Sequence, residues 1–456
     1  MVTEETPLIG QYSGGDLMKG SNVNKHYIDM VMSNQEAFMK DYFVTVDRVS
    51  RSNAKYKGKP VPFLYNPMFF TPHEEDYFKD IASKMLRIGN KVTDKFIEDP
   101  IYRASFGYPK FIEEMIIREN KYGINVPIGR FDIFFNDIGD FKFCELNTDG
   151  SSAMNEDNTL GRILLKTEAL KAFGEEFRLE NRELIDNWVI GSLRLYRRWK
   201  GEDHKPNVAI VDFVESGTSA EFLEFQKAYE RAGLTCIIAD PRDLEYRDGA
   251  LYKDMFRIDL IYRRIVTFEL IQKSKEIPEF IRAYMNDAMC TIGTVRSQVI
   301  HNKLFFKMLH EQETLQFLTE EERDFVKEHI PFTGVLGGAE SVLNEVIVRK
   351  NKYIIKPMDM NASQGVFVGR DLADDEWKDK VSKAFGKDYL YQEFIVPPQR
   401  EFLVAEESGF RTELFKSIVG LFVYNESYSG MYTRLSKENI ISGITNYYSV
   451  PNIIAY

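Results

Sequence analysis

Cysteine is scarce: Cys144, Cys236 and Cys290 are the only three in 456 residues. They are too few and too far apart for a disulfide framework, and no CxxC pair suggests a structural zinc. Of the six histidines, only His73 falls between positions 27 and 203, so Cys144 has no convincing base and a thiol hydrolase finds little support. No apolar run reaches about 18 residues, so no membrane span is expected. The opening MVTEETPLIG lacks the basic-then-apolar layout of a secretory signal, which points to a soluble cytoplasmic protein. An excess of positive charge is also missing. The net charge of −11 argues against nucleic acid or an acidic membrane as partner, while leaving room for a local phosphate-binding pocket. No GxGxxG follows a strand and no GxxxxGK[ST] occurs, so the usual dinucleotide and P-loop signals are absent. Internal repeats and low-complexity tracts are absent too.

What remains is an ordinary globular composition long enough for about two to four domains. Helix-like apolar spacing marks residues 24–40 and 74–97, and the first 20 residues read as a loose polar start. Paired strands are expected over 127–149 and a long helix over 159–200. A strand at 206–213, a helix at 218–232 stopped by Gly233, and a strand at 234–240 form a parallel crossover unit, with a third strand at 257–265. Beyond position 300 come a helix (301–311), a hairpin over 346–358 turning at Lys350, Asn351 and Lys352, a polar loop (359–365), a short strand, a helix near 374–386 and a strand at 389–395.

The stretch 129–149, GRFDIFFNDIGDFKFCELNTD, carries the first chemical signal. If Asn136 faces Phe141 across a four-residue loop at 137–140, Asp132 falls opposite Glu145. Alternation then puts Asp132, Glu145 and Asn147 on one face, which they share with Phe141 and Phe143. Two carboxylates and an amide oxygen suit Mg²⁺, which favours hard oxygen ligands completed by water and phosphate. A one-residue slip would separate them. Lys303 stands at the start of a helix. Lys356 closes the apolar strand IIK, where an ammonium is costly without an anionic partner. The following loop, with Gln364 and Gly365, can bring backbone N–H groups to phosphate oxygens. Gln392 and Glu393 turn a buried strand polar, fit to meet a purine edge and a ribose. Arg434, in GMYTRLS, adds a further phosphate contact. Taken singly, each of these is also an ordinary surface or edge residue.

Their order is more telling. RFD, CELNTD, IDLIYRRI, HNK, IIKP with a glycine-bearing loop, YQEF before prolines, and YTRLS together resemble the ATP-grasp ligases related to glutathionylspermidine synthetase, over roughly residues 125–450. The resemblance implies a mixed α+β and α/β chain. An ATP-grasp core (126–200 and 301–456) would carry a mobile lid (330–388) and an inserted Rossmann-like subdomain (201–300), with a mainly helical segment (1–125) packed on it. It implies ATP and Mg²⁺ as cofactors, and a small-molecule or peptide carboxylate and an amine as partners. Asp132, Glu145 and Asn147 would bind the metal. Lys303, Lys356, Gln364, Gly365, Gln392 and Glu393 would bind nucleotide. Arg434 would act on the transferring phosphoryl group, Arg130 would approach the substrate carboxylate, and Ser151 and Ser152 would contact a peptide substrate. The sequence departs from the family in the Gly150–Ser151–Ser152 run after Asp149 and in lacking an amidase half. A non-catalytic nucleotide- or peptide-binding module is the alternative, and a phosphotransferase making a stable phosphorylated product is a further one.

Overall fold

The computed structural model describes residues 18–360, 363–443 and 447–456. The expected loose start up to residue 17, and positions 361 and 362 of the polar loop, lie outside the described residues.

The central element is an antiparallel sheet. Its order is Tyr448–Val450, Ser427–Ser436, Gly409–Tyr424, Ile128–Asp137 and Asp140–Asn147, with Gln399–Glu406 paired to the first half of Gly409–Tyr424. Phe131, Ile133 and Phe135 on one hairpin strand, and Phe141, Phe143 and Leu146 on the other, enter the main core. Asp132 does pair with Glu145, but the ladder between that pair and the turn is irregular. The turn is Ile138–Gly139, with Gly139 at φ 80° and Asp137 facing Asp140, so Asn136 does not face Phe141. Asn136 and Cys144 are each an extra residue in their strand, which is the signature of a β-bulge. The bulge at Cys144 settles the face question. Phe143 points into the core, Glu145 turns to the opposite side, and Leu146 returns to the core. The carboxylate and the amide therefore do not share the face of the phenylalanines.

A second sheet has the order Thr333–Val335, Tyr389–Glu393, Tyr353–Pro357 and Phe367–Val368, all antiparallel. It has its own small core of Leu336, Val346, Tyr353, Ile355, Trp377, Val381 and Ala384. The expected hairpin over 346–358 is instead a helix, Glu340–Val348, a tight turn, and the strand Tyr353–Pro357. The β-branched run VIV suggested a strand, but Val342, Leu343, Val346 and Ile347 pack as one helical stripe against this core.

The third sheet is parallel, in the order Cys290–Ile292, Leu260–Arg263, Val208–Val211 and Cys236–Ala239, with the helix Ser219–Arg231 between the last two in sequence. The expected strand at 257–265 is two strands. Phe256–Ile258 joins a small antiparallel meander, and Leu260–Arg263 enters the parallel sheet. Asp259 sits at the break, where its carboxylate accepts the backbone N–H of Asn207. The expected long helix over 159–200 is Met154–Leu164, Glu168–Phe173 and Ile185–Lys200, because the Thr167 hydroxyl starts a new helix by capping Leu170 N–H. Near the amino terminus, Pro72–Glu98 opens on a Thr71/Glu74 capping box. Its buried face, including Phe78, Met85 and Phe96, joins the main core. Asn452–Ala455 lies between Met68–Phe70 and Leu179–Glu180 in a three-stranded sheet. Among the described residues no helix is long and apolar enough to cross a membrane.

Candidate functional site

A cavity of about 470 Å³ opens between the two antiparallel sheets and the carboxyl ends of the parallel strands. It brings together Arg130, Glu145, Asn147, Ser151, Ser152, Lys303, Lys356, Gln364, Gln392, Glu393 and Arg434. Asp132 lies fully buried beneath them. Gly365, at φ 70°, is not itself on the wall, although Gln364 and Val366 are.

Asp132 is saturated. Its Oδ1 accepts from Arg130 Nε at 2.6 Å, and its Oδ2 accepts from a terminal nitrogen of Arg130 at 3.0 Å, from Arg434 at 2.9 Å and from the Asn147 amide at 3.2 Å. Burial works against the Arg130 charge, but Asp132 outweighs it and raises the guanidinium above its ordinary range. Gly420, opposite Asp132 in the ladder, makes the space: a Cβ there would stand 2.6 Å from Arg130 Cδ and 2.8 Å from Asp132 Oδ1. Arg130 also donates to Ser152 C=O at 2.8 Å. The Nε of Arg434 is buried with no hydrogen-bond partner among the described residues.

Glu145 is differently placed. Burial pushes its carboxyl up, but Lys303, Lys356, the Asn147 amide and Arg434 together hold it at about 2. Lys303 Nζ stands 3.9 Å from Glu145 Oε2 and donates to Met360 C=O at 2.9 Å. Lys356, whose side-chain ammonium is depressed by burial despite Cys144 and Glu145, donates among the described residues only to Cys144 C=O at 3.4 Å. That carbonyl belongs to the bulge. On the second sheet the Gln392 amide is committed to Thr333 Oγ1 at 2.8 Å, whereas Glu393 lines the cavity.

The donor set fits a hard divalent cation in part. Glu145 and Asn147 both line the cavity, the Asn147 amide nitrogen donating to Asp132 and to Glu145, whereas both Asp132 oxygens are taken by guanidinium groups. Among the described residues no group of three or more acid, histidine or cysteine side chains is arranged to hold a metal. A Mg²⁺ ion keeps several waters and needs few protein ligands, so Glu145 and Asn147 suffice as the protein's share.

Asp149 is a structural tie. It pairs with the wholly buried Arg263 and accepts the Thr267 N–H, which pins the end of the strand Asp140–Asn147 to the parallel sheet. Ser151 and Ser152 follow, with the Ser151 hydroxyl bonded to Asn147 C=O and the Ser151 carbonyl taken by Arg264.

No protein-family model matches this sequence, and no curated protein does. Among solved structures, a glutathione synthetase-like effector from Globodera pallida matches over 92% of this chain and 98% of its own, at 10% identity and a TM-score of 0.56. The chain shares the fold of that glutathione synthetase-like protein. A candidate gamma-glutamylcysteine synthetase from Methylobacillus flagellatus matches over 83% of this chain and 85% of its own at 12% identity, with a TM-score of 0.41. D-alanyl-alanine synthetase A of Vibrio cholerae matches over 46% of this chain and 67% of its own at 12% identity, with a TM-score of 0.27. At those scores the last two add nothing to the fold assignment.

On this glutathione synthetase-like fold the cavity holds more than the sequence reading named. Asp212 and Arg264 follow immediately on the strands Val208–Val211 and Leu260–Arg263, which are neighbours in the parallel sheet, and both line the cavity. Open α/β sheets place ligands at such carboxyl ends, which the sequence does not mark here because the expected strands 206–213 and 257–265 run past both residues. Burial and Glu269 push the Asp212 carboxyl up to about 7 despite Arg264. Glu156, Tyr432, Tyr56 and Tyr447 also face this space. Burial, then Glu145, pushes the Cys144 thiol up to about 12, away from the thiolate form.

Proposed function

We propose that this chain is an ATP-dependent ligase of the ATP-grasp type that joins a carboxylate to an amine and releases ADP. The observation that carries the reading is one cavity in which two lysines share a single carboxylate among the described residues, the ionised Glu145, 3.9 Å from Lys303. Two ammonium groups on one carboxylate leave positive charge over, and a triphosphate would neutralise it.

Lys303 and Lys356 neutralise the phosphate oxygens, with Gln364 and Gly365 offering backbone N–H groups. Glu393 and the Gln392 strand receive the nucleoside end. Arg130, fixed by Asp132, orients the substrate carboxylate beside Ser151 and Ser152. Arg434, with its unused Nε donor, neutralises charge as the phosphoryl group moves to that carboxylate and an acyl phosphate forms. Displacement of phosphate by the amine then gives the amide. Glu145 and Asn147 would hold Mg²⁺, which would supply positive charge to offset that of the phosphates. Positioning and charge neutralisation account for the rate. The acyl phosphate must be kept from water, and the segment 330–388, with a core of its own, is the element that would close over it. Within this class the motif order resembles the glutathionylspermidine synthetases, which makes peptide carboxylates and polyamines the first substrates to try.

ADP release is measured with ATP, Mg²⁺ and pooled amino acids, peptides and polyamines, followed by mass spectrometry of the product. An amide product lost in a folded Glu145→Ala variant is expected. Full turnover in that variant overturns the metal assignment, and a stable phosphorylated product overturns the ligase.

A further inference from the structure

Lys303 holds the turn Met358–Met360 at both ends. Its backbone N–H donates to Met358 C=O at 3.2 Å and its ammonium to Met360 C=O at 2.9 Å. Between those contacts the partly buried Asp359 reaches the helical turn Gln298–His301, where the Gln298 amide donates to its Oδ2 at 2.8 Å. Gln298 is wholly buried. Its own amide oxygen, Oε1, is buried and has no hydrogen-bond partner among the described residues. An ionised carboxylate only accepts hydrogen bonds, so it serves the nitrogen of a primary amide and leaves the oxygen stranded, a costly arrangement for a buried acceptor. A protonated carboxyl also carries a hydroxyl and can serve both atoms.

The surrounding groups act in the same direction. Burial, helped by Asp149, pushes the Asp359 carboxyl up, against His301, Lys303 and the Gln298 amide. Asp149 is itself paired with Arg263. The buried His301 meets Leu146 C=O through Nδ1 at 3.2 Å. The Tyr108 hydroxyl donates to Gln298 C=O at 3.0 Å, and burial, then Asp359, raises that phenol so that it stays neutral. Lys303 is also the cation assigned to phosphate, so a carboxylate at Asp359 would compete for it.

Resting on the ligase reading for its ligand, we propose that Asp359 is a positioning residue that works as a neutral carboxylic acid. Its hydroxyl donates to Gln298 Oε1, which closes a two-bond ring of acid and amide. The ring fixes the turn Met358–Met360, so that Met360 C=O presents the Lys303 ammonium to phosphate. When the proton leaves to solvent, the ring opens and a carboxylate stands near Lys303, which weakens the hold on the triphosphate.

Asp359→Asn offers the same donor and acceptor without a proton to lose. Calorimetric titration with ATP and Mg²⁺ compares it with wild type from about pH 4 to about pH 9, and the urea midpoint is followed over the same range without nucleotide. The ratio of the two affinities removes the titration of histidines and of ATP. Equal affinity is expected at the acid end, and an advantage of about fivefold for the variant at the alkaline end. The carboxyl lies above its ordinary 3.8 in the fold. The wild-type midpoint should therefore fall relative to the variant's as pH rises through the raised value, then run parallel to it. A midpoint difference that is constant with pH overturns the acid, as does a variant that binds ATP more weakly at every pH. A midpoint that titrates while the affinity ratio stays constant overturns the positioning role. If Asp359→Asn does not fold, Gln298→Met replaces it: the acid then loses its acceptor and the decline in affinity begins at lower pH than in wild type, whereas an unchanged profile refutes the ring. A wild type that binds no ATP at any pH refutes the ligase reading, and the midpoints alone then decide the acid.

Discussion

On the six-stranded wall of the cavity, charge is cross-linked: Arg130 and Arg434 share Asp132, and Asn147 bridges Asp132 to Glu145. On the opposite wall, Lys303 and Lys356 lean on backbone carbonyls, and their nearest carboxylate contact is 3.9 Å away. The first arrangement holds its geometry with nothing bound. The second carries an electrostatic debt that an incoming anion cancels. The contrast separates cations fixed by a shared carboxylate from cations that rest on backbone carbonyls, even where both are buried.

The contrast breaks most visibly at Asp132. Asp132→Asn removes the counter-charge of a buried guanidinium and is expected to cost about 3–5 kcal/mol of stability, read as a lowered urea midpoint; a cost below about 1 kcal/mol would mean the arginines are effectively solvated. Lys356→Met should do the reverse. ATP turnover falls about 10²–10³-fold, while the urea midpoint stays or rises, because an ammonium buried without an acid becomes a thioether. A Lys356→Met protein that unfolds would place that lysine with the fixed cations instead. Acid titration probes the boundary between the walls. The Glu145 carboxyl titrates at about 2 in the fold against an ordinary 4.5. Its contribution is therefore fully present above about pH 4.5 and disappears as pH falls from there toward 2. Glu145→Gln should flatten stability across that window, and an unchanged slope would deny the influence of the lysines. The smallest effect is expected at the nucleoside end: Thr333→Val strands the Gln392 amide and should cost about 1 kcal/mol, with nucleotide affinity changed more than turnover.

Much of this wall-to-wall arrangement could be read before any coordinates, and the reasons are local. The Asp132–Glu145 pairing expected from a short turn between two alternating strands is present because the extra residues Asn136 and Cys144, one in each strand, offset one another. Lys356 stood out because an apolar strand rarely ends in an unpartnered ammonium. The bulges could not be read, since nothing in FFND or KFCEL marks which residue will be extra. The strand Gly409–Tyr424, which pairs with Ile128–Asp137 on one side and Ser427–Ser436 on the other, went unassigned because its partners lie about three hundred residues away at one edge and beside it at the other. The helix Glu340–Val348 was hidden by β-branched residues whose helical stripe only makes sense once Trp377 is placed against it. Asp212 and Arg264 were passed over because a single acid or base after a strand carries no signal until the two strands are known to be neighbours.

The paired irregularities of the hairpin leave it with spare length. Removing Asn136 or Cys144 would turn two-against-one steps into one-against-one, keeping every other cross-strand partner, whereas trimming a neighbouring position would invert the rest of the strand. The two are not equally dispensable. Excising Asn136 would shorten the tip alone, but excising Cys144 would delete the peptide oxygen on which Lys356 now rests, turning a silent indel into one that reaches the far wall.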